Sequence, residues 1–257
     1  MQQDKITVII NTSNEEKNIV DCLRTARILT KKIVVVDMES KDKTVELAKK
    51  FNAKVYSFQP SLYVEPARMY AISKSETDWV FVLDADERIT KELANEIKEK
   101  LDKDTLVTHY ETPRKNIFAK TRWLKYGGWW PDYQIRMINK KFFVEWPKKI
   151  HSTPMLNGEK GRLTNSIEHY FHGSLDKMVD KTVIFEDIES DLLFKAKRDA
   201  STATFFRKFV AELWRRLFRN LGFMDGTFGI IESIYQAYSK TITYLFLYEK
   251  KIKNRSL

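Results

Sequence analysis

Three short apolar runs, each breaking into polar or acidic residues at its C-terminal end, constrain the fold more than any other feature of the chain. Residues 6–10 (ITVII) run into Asn11, Ser13 and Glu15. Residues 33–36 (IVVV) run into Asp37, and residues 79–83 (WVFVL) into Asp84, Asp86 and Glu87. Runs this short and this rich in β-branched residues fit strands covered on both faces. Between them, residues 15–29, 43–51 and 66–74 have helical patterning, and residues 53–58 form another strand. A polar helix follows over 91–101, with Leu93, Ile97 and Leu101 on one stripe. Strands alternating with helices predict an α/β chain built on a mostly parallel sheet. Such sheets bind ligands beyond the carboxyl ends of their strands, so the three polar strand ends form the expected site.

Residues 105–172 lose this regularity and are rich in Trp, Tyr and basic residues; from residue 175 onward the chain reads as helical. Phe205, Phe209, Leu213, Leu217 and Leu221 recur at spacing four, with Phe206, Val210, Trp214 and Phe218 alongside. Lys208, Arg215 and Arg219 are expected to point away from both stripes. The 257 residues carry a formal charge of +10, which attracts anions: nucleic acid, anionic lipid or a phosphorylated substrate. Cys22 is the single cysteine, so no intramolecular disulfide can form, which fits a reducing compartment. The N-terminal residues do not read as a secretory signal, and no apolar run approaches the roughly 18 residues of a membrane span. The expected location is the cytoplasm, free or peripheral on the inner face of a membrane.

In an extended segment Asp84 and Asp86 point to the same side. Two carboxylates there make a hard oxygen site for Mg²⁺ or Mn²⁺, which typically binds one or two carboxylates together with substrate phosphates. The competing reading is an acidic turn or helix cap, since Asp86 and Glu87 precede the 91–101 helix.

Residues 7–16 (TVIINTSNEE) resemble the opening strand and loop of family-two inverting glycosyltransferases. The run 33–44 (IVVVDMESKDKT) resembles their second-strand motif, 67–72 (ARMYAI) their arginine-bearing helix start, and 82–87 (VLDADE) their metal motif. The run 127–136 (GGWWPDYQIR) is similar to the subgroup that includes lipopolysaccharide inner-core β-1,4-glucosyltransferases. The resemblance implies a GT-A fold, a Rossmann-like, mostly parallel mixed sheet flanked by helices. It would place a catalytic domain at 1–174, with nucleotide-sugar binding in 1–103 and the acceptor part in 104–174, and a helical extension at 175–257. It implies a nucleoside-diphosphate sugar donor, UDP-glucose first, a divalent metal, Mg²⁺ or Mn²⁺, and a saccharide or lipid-linked acceptor of the cell envelope. Asn11, Ser13 and Glu15 would lie near the nucleoside, Asp37 would take a hydrogen bond from the base, and Arg68 would touch base or phosphate. Asp84 would reach the ribose or a metal-bound water, and Asp86 the metal. At Met38-Glu39 the chain departs from relatives that carry glycine, which changes what the loop backbone can adopt.

An inverting transfer needs a base to take the acceptor hydroxyl proton. Asp132, after Gly127-Gly128 and among Trp129, Trp130 and Tyr133, is the candidate by resemblance, with Glu145 in reserve. Its alternative is an ion pair with Arg136 that stabilises a loop. His169 resembles a late histidine that serves the metal or diphosphate. His151 and Arg136 are expected among donor or acceptor contacts, as are Trp129 and Trp130. His172 is a weaker candidate, and His109 reads as structural. Trp123, Trp129 and Trp130 amid basic residues suit a phosphorylated sugar or single-stranded nucleic acid, or else a core.

The basic, apolar helix around residues 195–219 suits an anionic membrane surface, but packing within the chain or against a second copy is the default reading. Two other functions compete. A nucleotidyltransferase would call for a Gly-rich phosphate loop, and residues 10–18 contain no glycine. A nucleic-acid-binding module would leave the acidic strand ends unexplained, so no nucleic-acid partner is expected.

Overall fold

The computed structural model describes residues 4–103, 105–171 and 175–255. The elements of its first half are β1 (Ile6–Thr12), α1 (Ile19–Leu29), β2 (Ile33–Asp37), α2 (Thr44–Lys50), β3 (Lys54–Ser57) and α3 (Glu65–Ser73). There follow β4 (Trp79–Asp84), β5 (Glu87–Ile89), α4 (Lys91–Asp102), β6 (Val107–Phe118), β7 (Arg122–Trp123) and β8 (Asp132–Asn139). Short strands β9 (Phe143–Glu145), β10 (Met155–Leu156), β11 (Glu159–Arg162) and β12 (Ile167–His169) lead to α5 (Leu175–Lys195), α6 (Thr202–Trp214) and α7 (Gly226–Arg255). The main sheet runs β3-β2-β1-β4-β8-β6-β12-β5. Its first four strands are parallel, and β8 pairs antiparallel with both β4 and β6.

Alternation along the parallel strands explains why both faces are covered. Val8 and Ile10 of β1, Val35 of β2 and Phe81 and Leu83 of β4 enter one core with Cys22, Leu23 and Ala26 of α1 and Leu93 and Ile97 of α4. Ile9, Val34, Val36, Val80 and Val82 enter the other, against Ala67, Ala71 and Ile72 of α3. The period of two sends successive side chains to opposite faces, and each helix presents a matching apolar stripe. The result is the expected α/β sheet flanked by helices.

The first half departs from expectation at two boundaries. Helix α1 begins at Ile19 rather than residue 15, and before it the Glu15 and Glu16 N–H groups donate to Thr44 Oγ1 and Asp42 Oδ2. Asp86 and Glu87 do not cap α4: Glu87 opens β5, and Thr90 is the cap, its hydroxyl accepting from the Leu93 N–H at 3.1 Å.

The segment read as irregular holds the longest strand. Strand β6 escapes the apolar-alternation rule because its polar side chains meet polar partners. Thr108 donates to the Asn157 carbonyl, and Glu111 takes ion pairs from Lys160 and Arg162.

Two compact units make up the chain, one of Met1–Arg114 with Asp132–His169, the other of Lys115–Pro131 with Tyr170–Leu257. In the second, α5 and α6 both pack on α7. Its core includes Phe118, Leu124, Phe171 and Met178, with Trp129 and Tyr235 against it. Asp225 fastens residues 115–131 to the helices by accepting from the Lys125 and Tyr126 N–H groups, both at 2.8 Å. The spacing-four stripe does not form one helix. After Trp214 it widens into a π-helical turn, Arg215–Arg219, then a 3₁₀ turn, Gly222–Asp225. Phe205 packs edge-on against Tyr248, but Phe206, Val210, Trp214, Phe218 and Leu221 are exposed. Lys208 does not point away from the apolar residues; its ammonium lies 5.3 Å from the Tyr244 ring. No helix among the described residues is long and apolar enough to cross a membrane.

Candidate active site

The carboxyl end of β4 is where charge concentrates. Asp84 accepts from the guanidinium of Arg68 on one carboxylate oxygen and from Arg136 at 2.8 Å on the other. Arg136 also pairs with Glu87, which is fully buried and accepts from the Asp84 N–H at 2.9 Å. Arg114 lies 3.5 Å from the same Glu87 carboxylate and also pairs with Asp132. Three arginines and three acids thus alternate from α3 through β4, β5, β8 and β6, and their charges balance. Burial alone would raise the Asp84 pKa. The neighbouring Arg68 and Arg136 guanidiniums outweigh it and hold the carboxyl far below the carboxylate range. Burial likewise opposes the charge of Arg136, but Glu87 and Asp84 more than restore it, raising its pKa.

Two residues beyond Asp84, the Asp86 carboxylate faces His169, with Nε2 3.6 Å from Oδ2. Pairing of β12 with β5 sets this approach, since His169 lies opposite Glu87 in the register. Both side chains keep some exposure, 21% for Asp86 and 15% for His169. Among the described residues no group of three His, Cys, Asp or Glu side chains converges as a metal cage. A carboxylate and an imidazole nonetheless fit an ion that completes its shell with substrate phosphate and water.

On the nucleotide side, the loops after β1 and β2 are laced together. Asn14 N–H donates to Ser40 Oγ at 2.8 Å, and Lys41 N–H donates to Asn14 Oδ1 at 2.8 Å. Asp37 is buried and accepts from both the N–H and the hydroxyl of Ser40. Asn11 is buried opposite Asp84; its Oδ1 accepts from Arg68 at 3.4 Å, while its Nδ2 and the Arg68 Nε have no partner. Ser13 is half-buried at the start of the loop, and Glu15 accepts from Asn18 Nδ2 at 2.7 Å. The departure at Met38-Glu39 has a structural counterpart: Glu39 sits at φ 56°, where glycine is favoured.

Asp132 opens β8 rather than lying in a loop. Its carboxylate accepts from Arg114 Nε and from Gln134 Nε2, both at 2.8 Å. The ion pair expected with Arg136 is therefore made by Arg114 instead, because Arg114 stands opposite Asp132 in the β6–β8 register. Arg136, expected among donor or acceptor contacts, is almost fully buried and turned onto Asp84 and Glu87. His151 lies in the loop after β9 at φ 57°, its N–H donating to Glu65 Oε1 at 2.8 Å. Glu145 is exposed at the end of β9. His109 is buried, with Nδ1 3.0 Å from Thr108 Oγ1, and burial lowers its pKa. His172 lies outside the described residues.

Within the second unit, Trp129 packs 4.8 Å from the Phe171 ring, with the Arg216 guanidinium 5.4 Å from its own ring. Trp130 meets Trp123 edge-on at 5.3 Å, and the ammonium groups of Lys115 and Lys125 stand over Trp123. The Gly127-Gly128 pair is a fixed turn, with φ 66° and 84°, and a Cβ on Gly128 would come within 2.9 Å of Asn220 Nδ2.

The sequence places Glu87 at the polar end of the 79–83 strand and Arg114 among the basic residues near Trp123, but nothing in it joins the two, or joins Glu87 to Arg136, because those links depend on which strands pair.

A doubly covered parallel sheet whose fourth strand ends in paired acids, extended by antiparallel strands that bring in a histidine, defines a glycosyltransferase of GT-A fold. The model of glycosyl transferase family 2 matches residues 7–157, more than half of the chain, and the chain belongs to that family. An uncharacterized glycosyltransferase of Rickettsia conorii is 25% identical over 275 residues, spanning 99% of this chain and 93% of that protein. One of Rickettsia typhi is 28% identical over 273 residues, spanning 98% and 90%. Among solved structures, Staphylococcus aureus TarS 1-349 aligns over 97% of this chain and 91% of its own, at 14% identity and a TM-score of 0.44. Glucosyl-3-phosphoglycerate synthase of Mycobacterium tuberculosis, in complex with Mn²⁺ and UDP-glucose, aligns over 44% of this chain and 43% of its own, at 19% identity and a TM-score of 0.35.

Proposed function

We propose that this glycosyltransferase inverts the anomeric centre as it moves a hexose from a UDP-sugar, UDP-glucose first, to a hydroxyl of a cell-envelope glycan or lipid-linked saccharide. The lipopolysaccharide inner core is the foremost acceptor class. The catalytic domain is taken to span 1–174 and the helical extension 175–257, with the enzyme acting at the inner face of a membrane.

The observation that carries this reading is the approach of Asp86 to His169 at the carboxyl end of β4, two residues beyond the arginine-held Asp84. Asp86 and His169 would hold a divalent ion, Mg²⁺ or Mn²⁺, which when bound neutralises charge on the departing diphosphate. Asn11, Ser13 and Glu15 line the nucleoside side, and Asp37 accepts from the base, Ser40 sharing or yielding its bonds. Arg68 and Arg136 fix Asp84 as an anion toward the ribose. Asp132 takes the proton of the acceptor hydroxyl as that oxygen bonds to the anomeric carbon and the carbon–diphosphate bond breaks. Arg114 and Gln134 hold the carboxylate in position through their hydrogen bonds. Trp129, Trp130 and His151 are assigned to sugar contacts.

Calorimetric titration of UDP into the protein, with Mn²⁺ and then with EDTA, tests the donor side. Binding that requires metal and disappears in Asp86→Ala supports the reading; equal affinity in EDTA overturns the metal assignment. Asp132→Asn should bind UDP normally and lose about 10²–10⁴-fold in transfer. Near-normal transfer would remove Asp132 as the base.

A further inference from the structure

The stretch from residue 213 to 248 contains only two acidic residues, Asp225 and Glu232. Both are buried, at 3% and 0% exposure. Asp225 is turned inward onto the Lys125 and Tyr126 N–H groups. This stretch runs from the last two residues of α6 through its π-helical and 3₁₀ continuation and along most of α7, which packs back on α6. The one acid beside it, Glu212, is taken up by Arg215 and Arg216, so the hairpin end offers the surroundings no unpaired carboxylate.

What it does offer is apolar and basic. Trp214, Phe218, Phe223, Met224, Ile231 and Ile234 are all exposed, Trp214 at 61% and Met224 at 53%. On α6 the spacing-four series Phe206, Val210, Trp214 and Phe218 faces outward, and the Trp214 and Phe218 rings lie 4.8 Å apart. Arg207, Arg215 and Arg219, each one residue beyond a member of that series, are exposed alongside it. An apolar patch of this extent on a soluble chain marks an interaction surface. Aromatic and aliphatic side chains with arginines at their border, and no acid but the paired Glu212, match the interface of an anionic bilayer, where rings and aliphatic chains enter the headgroup boundary and guanidiniums meet phosphate. A second copy is the poorer occupant. A self-complementary interface would set this arginine border against its own image, whereas anionic lipid complements it.

We propose that the α6–α7 hairpin end, centred on Trp214 and Phe218 and bordered by Arg207 and Arg219, is a docking surface for anionic lipid bilayers. This deepens the reading of a lipid-linked acceptor and rests on it only for its biological sense; its test needs neither donor nor acceptor.

The experiment is co-sedimentation of the full chain with vesicles of phosphatidylcholine alone and with added phosphatidylglycerol, at low and high salt. Trp214→Ser/Phe218→Ser and Arg207→Ala/Arg219→Ala are compared with wild type. Wild type should pellet with the anionic vesicles at low salt and far less with neutral ones. The apolar double variant should bind at least about tenfold more weakly, and each arginine removed should cost roughly fivefold at low salt. The proposal is overturned if wild type stays in the supernatant with anionic vesicles, or if the apolar variant binds as well as wild type. It is equally overturned if wild type ignores vesicles but is a dimer that the apolar variant dissolves, which assigns the patch to a second copy. UDP titration with Mn²⁺ on the same variants separates the two ideas. Retained donor binding with lost vesicle binding supports the docking surface alone, and lost donor binding in wild type strikes the enzyme reading without touching it.

Discussion

Arg136 occupies the position on which the charge network turns, since it alone bridges Asp84 and Glu87. Substituting Arg136→Met keeps its bulk but leaves Asp84 to Arg68 alone and the fully buried Glu87 with only the 3.5 Å approach of Arg114. The expected cost is about 3–5 kcal/mol in urea unfolding, the range for breaking one side of a buried pair. A cost below about 1 kcal/mol would mean the acids simply take up protons. Glu39 tests a different residue-scale idea. At φ 56° an L-residue is strained, so Glu39→Gly should stabilise the chain by about 1 kcal/mol, net of the greater freedom glycine gains when unfolded. Unchanged stability would show that the lacing of the β1 and β2 loops already absorbs that strain. The sequence made part of this site legible. Asp84 and Asp86 are acids at the end of an apolar strand, and local pattern reveals them; His169 is indicated by the family resemblance alone. The roles of Glu87 and Arg114 depend on which strands pair, and no local pattern carries that information.

Among the elements, β1, β2 and β4 were legible because burial on both faces demands unbroken apolar runs. Strand β6 was not, because Glu111 and Thr108 satisfy their polarity across the sheet rather than in solvent. The break after α6 was equally hidden, since the spacing-four stripe continues through it without interruption. The chain leaves the helix at Leu221, φ 56°, and the turn that follows is accommodated at Gly229. A Cβ there would fall 1.9 Å from the Gly222 carbonyl oxygen and 2.7 Å from Asp225 Cβ. The 3₁₀ turn thus presses directly on the first turns of α7, and only glycine permits the approach. Gly229→Ala should cost about 1–3 kcal/mol, the usual penalty of overpacking. It should also loosen the hairpin end, read as faster amide exchange over residues 215–230. Wild-type stability and exchange in this variant would show that the close approach is not needed.

For the whole molecule, the two compact units carry opposite dependences on pH. In the second, Glu232 is fully buried, one oxygen has no partner, and the other accepts only a 3.3 Å bond from Gln236. Burial pushes its pKa up to about 7, and the Gln236 bond and the Arg216 charge pull it back only in part. A carboxyl with a raised folded pKa favours folding while protonated. Its contribution is intact below the unfolded value of 4.5 and is lost as pH rises toward 7. A gap of that size corresponds to about 3 kcal/mol at alkaline pH. In the first unit Asp84 behaves in the reverse sense. Its burial is outweighed by Arg68 and Arg136, so its folded pKa lies below the unfolded 3.8, and its contribution is present above that value and lost as pH falls. The two limbs place the stability maximum on the mildly acidic side of neutrality. Glu232→Gln should therefore stabilise the chain by up to about 3 kcal/mol at pH ~8 and hardly at all at pH ~4, moving the maximum toward neutral pH while leaving the acid limb unchanged. Thermal unfolding across that range decides the matter: an equal gain at both ends would mean that Glu232 acts through packing and not through its charge.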